Sequence, residues 1–537
     1  MTPTKSAPAI FDRARSGYVR DFNAFDVFVF NVVGFALGLA LSTNPSFIAS
    51  FAPNANLLIV VLLGALLALA NGLTYGWFGA IMPSTGGDFI FVTRSLSHRL
   101  GFLTSWGFTA CQIYGIAANL GFIMSVAVAP ALVTIGVEVN SASLKHYGEL
   151  LSAPGYAAFW SVALLVLYFV LAYFDVAVNR VFVYGAFIFA ILGSALMLLV
   201  LFSTSHDAFV SAFNNFVQKL TGASDMYGKV LMTAQQNTPA TGQVWWDSFR
   251  AVPLGFLCFL GFTYSVYVGG EVREPQKSQV RGIMGALVLG LCVFLFGMGY
   301  YVRMVSQEFH SALAVPAVQT MLGLPNSVNF FAGIVAPNVA VNVLMQLGNL
   351  LWFLLVPYVM IQVCTHNVIA WSLDQVMPEW LLHRGGKSNS PWHAILVICL
   401  VSLLCIGANY EFGVSLVGAT ALAAVAFGLT GLSAVQLPRT RPKDFAKAPM
   451  IARQQFLGLT LFQIIGLISA VGFGWICFVS VWYPEVSGGS PTKAIVMLIV
   501  VYAIGLVVYD VMRARLRKRT EATGVNLDAL FEEIPDD

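Results

Sequence analysis

Twelve stretches of this chain are too apolar for water, and most are long enough to cross a bilayer. They fall at about 26–48, 56–81, 101–134, 156–174, 181–203, 251–270, 282–302, 338–369, 392–408, 413–436, 456–482 and 494–511, and a helical crossing needs roughly 20 apolar residues. Of the 537 residues only 10% are charged, against about 25% in a soluble domain. Lipid offers backbone groups no hydrogen-bond partner, so a chain like this must satisfy them internally. The pattern predicts an all-α integral membrane protein with twelve transmembrane helices.

The basic residues report orientation. With the N-terminus inside, the inner connections hold 22 of the 28 Lys and Arg residues, and the outer ones keep Lys145, Lys219, Lys229, Arg250, Arg303 and Lys493. By the positive-inside rule both termini are expected in the cytoplasm, in the cytoplasmic cell membrane. Residues 1–25 then form a cytoplasmic N-terminal segment without an apolar run, which predicts no cleavable signal, and 512–537 a cytoplasmic tail whose basic start, Arg513 to Arg519, suits a stop-transfer anchor. The net charge of +3 is small and spread over short loops, which argues against a nucleic-acid partner.

Two of the apolar spans are interrupted by glycine. Residues 251–277 carry Gly255 and Gly261 and end on Glu271-Val272-Arg273-Glu274-Pro275; near the N-terminus Val33-Gly34-Phe35-Ala36-Leu37-Gly38 does the same. A lipid-facing helix gains nothing from glycine, whereas a helix that breaks at mid-membrane exposes backbone groups to a solute. Two broken spans, one opening each half of the chain, point to transport. The alternative for the first is a packing notch made by Gly34 and Gly38.

Other chemistry finds little support. The seven cysteines (Cys111, Cys258, Cys292, Cys364, Cys399, Cys405, Cys477) lie in apolar spans without CxxC spacing, so no metal and no disulfide is expected. There is no HExxH, GxSxG or Walker motif and no filter-like repeat, which disfavours an intramembrane enzyme or an ion channel. Between the fifth and sixth spans, residues 204–250 form an outer loop in which Phe209, Phe213, Phe216 and Leu220 mark one face of an amphipathic helix.

Three motifs then resemble those of the amino acid–polyamine–organocation (APC) superfamily permeases. Met82-Pro83-Ser84-Thr85-Gly86-Gly87-Asp88-Phe89 through Arg94 is similar to P-x-S-G-G-D/S-Y-x-Y/F-x-x-R. Phe259-Leu260-Gly261-Phe262 with Glu271-Val272-Arg273-Glu274-Pro275 resembles F-x-G-F-E and E-x-K/R-N-P, and Ala370 to Pro378, followed by Pro391, resembles A-x-x-x-D-x-x-x-P. The resemblance implies a LeuT-like fold: two inverted five-helix repeats, 26–203 and 251–436, whose first helices are unwound, plus two extra helices in 456–511. It also implies a secondary transporter working by alternating access. Two departures stand at the expected site: Phe35 and Ala36 replace small residues of the family's G-S/A-G, and Thr263 replaces its glutamate.

The site that the resemblance implies is built from both breaks. Val33, Gly34, Phe35 and Ala36 would present backbone N–H groups to a carboxylate, while Cys258, Phe259, Gly261 and Phe262 would offer carbonyls to an ammonium and an aromatic cover. Cys111, Gln112 and Tyr114 of the third span and Met360 of the eighth would line the side-chain pocket. No acidic residue lies mid-span in these helices, which favours neutral, apolar amino acids over an amine or polyamine; a nucleobase permease of the same fold is the other alternative. Glu271, Thr365 and His366 are the coupling and gating candidates. No cofactor is expected, and the sequence leaves open proton or sodium coupling and a monomer or homodimer.

Overall fold

A computed structural model of the protein describes residues 20–171, 176–237, 243–385, 390–412, 416–483 and 490–521. The expected N-terminal segment up to residue 19 and the acidic end of the tail from residue 522 lie outside the described residues.

The first apolar window folds as two helices in line, α1 (Ala24–Gly34) and α2 (Leu37–Phe51). Asn23 starts α1 with a capping box: its side chain accepts from the Phe25 and Asp26 amides, and Asp26 accepts from the Asn23 amide at 2.8 Å. Helix α3 (Leu57–Ile81) follows. A turn through Gly86 (φ +102°) and Gly87 (φ +47°) then leads into the short α4 (Asp88–Ser95), and α5 (His98–Phe122) runs on through a π-turn to Glu138.

Counting α1 and α2 as one, ten described helices are long and apolar enough to cross a membrane; the later ones are Pro154–Leu171, Val181–Ser203, Pro275–Val305, Val339–Leu373, Ala419–Thr440, Leu461–Trp482 and Pro491–Lys518. The helix Trp392–Phe412 has a shorter apolar stretch, 392–408. Large apolar side chains such as Leu66, Phe189, Leu192, Leu404, Val471 and Val507 are exposed around these helices. A soluble surface would hide them; a lipid-facing one needs them.

The span at 251–270, expected to be broken at its glycines, is helical over only a short stretch. Only Val252–Leu257 is α-helical; from residue 258 the chain runs through turns and two 3₁₀ turns, Tyr264–Val266 and Gly269–Glu271, until Pro275 starts the next helix. Gly261 at φ +116° leaves the helical region, and Gly269-Gly270 is a weak helix former. Side chains replace the missing helix bonds: the Ser265 amide donates to Asn31 Oδ1 at 3.0 Å, and Gln279 Nε2 donates to the Ser265 carbonyl at 3.1 Å. Irregular backbone survives at this depth because protein, not lipid, surrounds it.

Small residues let the helices close up. A Cβ on Gly431 would lie 2.7 Å from the Gly466 carbonyl, and one on Gly193 2.5 Å from Gly348 Cα. At the end of the bundle where α2 finishes, the helix His206–Thr221 lies as a cap. Its Phe213 packs 5.3 Å from Phe309, and Phe209 and Phe213 are fully buried.

Candidate functional site

The two interruptions meet. Helix α1 ends at Gly34, Phe35 N–H still donates to the Asn31 carbonyl at 3.1 Å, and Ala36 takes a left-handed conformation (φ 48°, ψ 66°) before α2 begins. That change of direction leaves the first-turn amides of α2 without helix carbonyls, a partial positive charge at the break. On the other side, a Cβ at Gly34 would sit 2.5 Å from the Gly261 carbonyl oxygen.

A cavity of about 610 Å³, including its open mouth, starts at this junction and extends along α2 and α5 to Phe47 and Phe122. Gly34, Phe35, Ala36, Thr43 and Asn44 line it from the first break; Cys111, Gln112, Gly115 and Asn119 from α5; and Leu257 and Leu260 from the second break. Val356, Met360 and Thr420 complete the wall. None of the lining residues carries a charge.

Its polar groups are few. Tyr264 O–H donates to Gln112 Oε1, while the buried Gln112 Nε2 has no partner among the described residues. Asn119 Nδ2 donates to the Gly115 carbonyl at 2.7 Å and Thr43 Oγ1 to the Leu39 carbonyl at 2.9 Å. Asn44 bonds the Cys258 thiol.

Of the residues singled out from the sequence, Gly34, Phe35, Ala36, Cys111, Gln112 and Met360 come together on this wall. The others stand outside it. Val33 is buried in α1, and the Cys258 thiol faces the Leu254 carbonyl at 3.8 Å. Phe259 packs 5.1 Å from Phe294, and Phe262 6.0 Å from Phe427. Gly261 is turned onto Gly34, and Tyr114 lies partly buried on α5. Thr43, Asn44, Asn119 and Thr420 were not foreseen; a polar residue within an apolar window was the only available signal, and it does not say which face the residue takes.

At the end where α1 begins, the broken segment is bonded to the chain before α1 and to the helix Val339–Leu373. Glu271 Oε1 lies 2.9 Å from His366 Nε2, and the Glu271 carbonyl accepts from the Asp21 and Phe22 amides, each at 2.9 Å. Arg273 returns a bond to the Phe22 carbonyl at 2.7 Å and an ion pair to Asp21 at 2.7 Å. Deeper in, Asn31 Nδ2 donates to Ser265 Oγ at 3.0 Å, which donates to Gln279 Oε1 at 2.8 Å. Thr365 spends its hydroxyl on the Ile361 carbonyl at 2.7 Å, within its own helix.

Comparison with known proteins gives a family-wide match and distant relatives. Residues 27–506 match the family model described as "Amino acid permease". A protein of Mycobacterium bovis and one of Mycobacterium tuberculosis, each named an uncharacterized transporter, are 23% identical over 353 residues, 65% of this chain and 66% of theirs. The match thus spans just under two thirds of those relatives' length. An uncharacterized protein of Sulfolobus islandicus rod-shaped virus 1 is 26% identical over 130 residues, 24% of this chain and 30% of its own.

Proposed function

The chain belongs to the amino acid permease family, and from that premise we propose that it carries neutral, apolar amino acids across the cytoplasmic membrane by alternating access. The observation that carries the reading is the uncharged cavity at the meeting of two helix breaks. The amino acid's carboxylate would take the free amides at the start of α2, and its ammonium the carbonyls of the 258–263 turn. The side chain would lie among Phe35, Leu257, Val356 and Met360, an apolar and adaptable wall.

In this reading the twelve windows form two inverted five-helix repeats plus two helices, and both termini face the cytoplasm. The end held by Glu271 and His366 is then the closed inner gate, and the cavity is reached from outside. The buried bonds among Asn31, Ser265 and Gln279 support the same assignment, because they join the two segments that must part for release.

The test is uptake by the purified protein in liposomes, with each of the twenty amino acids and with putrescine. Uptake of leucine-like substrates is expected. Transport of putrescine in their place would support the amine reading, and no uptake or binding of any amino acid would sink the proposal.

A further inference from the structure

We propose that Asp88 is a proton-binding site through which the carrier senses the position of the broken segment 258–272. Asp88 opens α4, outside the membrane-spanning helices, and is fully buried. Its Oδ2 accepts from Tyr267 O–H at 2.9 Å and from Tyr75 O–H at 3.5 Å, and Tyr75 is also bonded to Thr430 Oγ1 at 3.1 Å. Its Oδ1, equally buried, has no hydrogen-bond partner among the described residues.

The surroundings supply hydroxyls where an ionised carboxylate would want a cation. The titratable groups that face Asp88 are Tyr75 from α3, Tyr267 from the broken segment and, further off, Tyr502 from the last helix. Arg94, farther along α4, pairs with Asp374 at 3.1 Å, and Arg441 donates to the Arg94 carbonyl at 2.8 Å. On α5, His98 is bonded to Tyr509 at 2.9 Å and meets the Phe89 ring edge-on at 6.0 Å. The helix Ala419–Thr440 brings Thr430, a neutral group. Among the described residues no cation is bonded to this carboxylate, and burial then favours the neutral acid. It pushes Asp88 up to about 7, against the smaller opposing effects of the Tyr267 hydroxyl, the Phe89 amide and the Tyr75 hydroxyl.

The tyrosine partner makes this a sensor. Tyr267 lies six positions beyond Gly261, and its carbonyl accepts from the Gly86 amide at 3.1 Å; Thr85 and Val268 form a further bridge. The turn before α4 therefore grips the broken segment by main chain and by Asp88 together. When that segment moves off, Asp88 loses the Tyr267 hydroxyl and gains water, its affinity for the proton falls to the ordinary range near 4, and the acid gives its proton to that water, leaving the carboxylate. Between about pH 4 and 7 the closed arrangement holds one proton more, so acid favours it and alkali releases it. The function proposed above supplies the use of this proton; the binding step needs no substrate.

Infrared difference spectroscopy on the full-length protein in liposomes, titrated from about pH 5 to 9 across the value near 7, tests the site directly. A carboxylic-acid C=O band should fade with a midpoint near 7 and be missing in Asp88→Asn. Tyr267→Phe, which removes a hydroxyl that favours the carboxylate, should move the midpoint upward. In the same liposomes, leucine–leucine exchange should slow as the pH on both sides is lowered through about 7, because the proton holds the segment closed, and Asp88→Asn should lose that pH dependence. A band unchanged in Asp88→Asn, a midpoint near 4, or a band abolished by sodium at fixed pH would overturn the assignment. If leucine is not carried, the transport reading falls and the infrared titration still decides the site.

Discussion

Gly34 and Gly261 meet backbone to backbone, so the two helix breaks share one wall. A Cβ on Gly34 would lie 2.5 Å from the Gly261 carbonyl oxygen and 2.6 Å from the Tyr264 ring, and Gly261 itself needs φ +116°. Contact between the breaks places both sets of freed backbone groups at one end of one cavity. Neither glycine can gain a side chain without pushing the walls apart.

Gly34→Ala and Gly261→Leu should therefore abolish uptake while the protein remains inserted and monodisperse. Overpacking costs about 1–3 kcal/mol, enough to separate the breaks but small beside the burial that holds the helices in lipid. Gly121→Ala, where an added Cβ meets nothing within 4 Å, is the matched control and should transport normally. Normal uptake by both Gly34→Ala and Gly261→Leu would remove the shared wall from the mechanism.

Gln112 is the polar group of the wall with a spare donor, since its Nε2 is buried and without a partner among the described residues while its Oε1 takes the Tyr264 hydroxyl. Gln112→Leu should weaken leucine binding by about tenfold, the loss of one hydrogen bond of about 1–1.5 kcal/mol. Gln112→Glu should turn the preference toward cationic amines by giving the cavity a carboxylate. Competition binding with leucine and putrescine reads both; an unchanged ranking in Gln112→Glu would show that this wall does not select charge.

The sequence made the all-α membrane-spanning character and the position of the first break legible, because both depend on runs of apolar residues and on where glycine interrupts them. Gly34 and Ala36 flank the observed break. The second break was marked by Gly255 and Gly261 but its extent was not legible: Asn31 and Gln279, distant in sequence, take up the backbone bonds and let the segment stay irregular. Side-chain direction was equally hidden. Phe259 and Phe262 turn toward other phenylalanines, and Asn44, Asn119 and Thr420 reach the cavity from windows with no polar period to orient them. Glu271 and His366 were separate expectations, and only folding brings them to 2.9 Å.

That pair is expected to act as a latch between the broken segment and the helix Val339–Leu373. His366→Ala should speed hydrogen exchange across residues 264–273 by about tenfold, which corresponds to a charge-assisted bond of about 1.5 kcal/mol. His366→Gln, retaining an N–H donor, should speed it less. Identical exchange in wild type and His366→Ala would mean that the main-chain bonds from Asp21 and Phe22 hold the segment alone.

Arg94 and Asp374 form a buried ion pair at 3.1 Å, with side chains 1% and 3% exposed. Arg94→Met should destabilise the protein by about 3–5 kcal/mol, because it takes a bonded cation away from a buried carboxylate. The double variant Arg94→Met with Asp374→Leu should recover much of that loss, since apolar replacement of a buried pair is often neutral. Thermal unfolding in detergent measures both, and a double variant no better than the single one would assign the cost to packing.

His310 makes the opposite end of the bundle sensitive to acid. It lies in the short helix Gln307–Ala312, 1% exposed, with Nδ1 3.4 Å from the Tyr301 hydroxyl and Nε2 without a partner among the described residues. Burial lowers its pKa from 6.5 to about 4, so the packed state holds the neutral ring and the opened state takes up the proton. Stability is then full above about pH 6.5 and falls as the pH drops toward 4, by about 2 kcal/mol at pH 5. Hydrogen exchange across residues 306–315, corrected for its intrinsic pH dependence, should show this cap opening more at about pH 5 than at pH 7. His310→Asn should flatten that difference whatever it does to baseline stability. If the variant keeps the full acid response, the proton is taken up elsewhere.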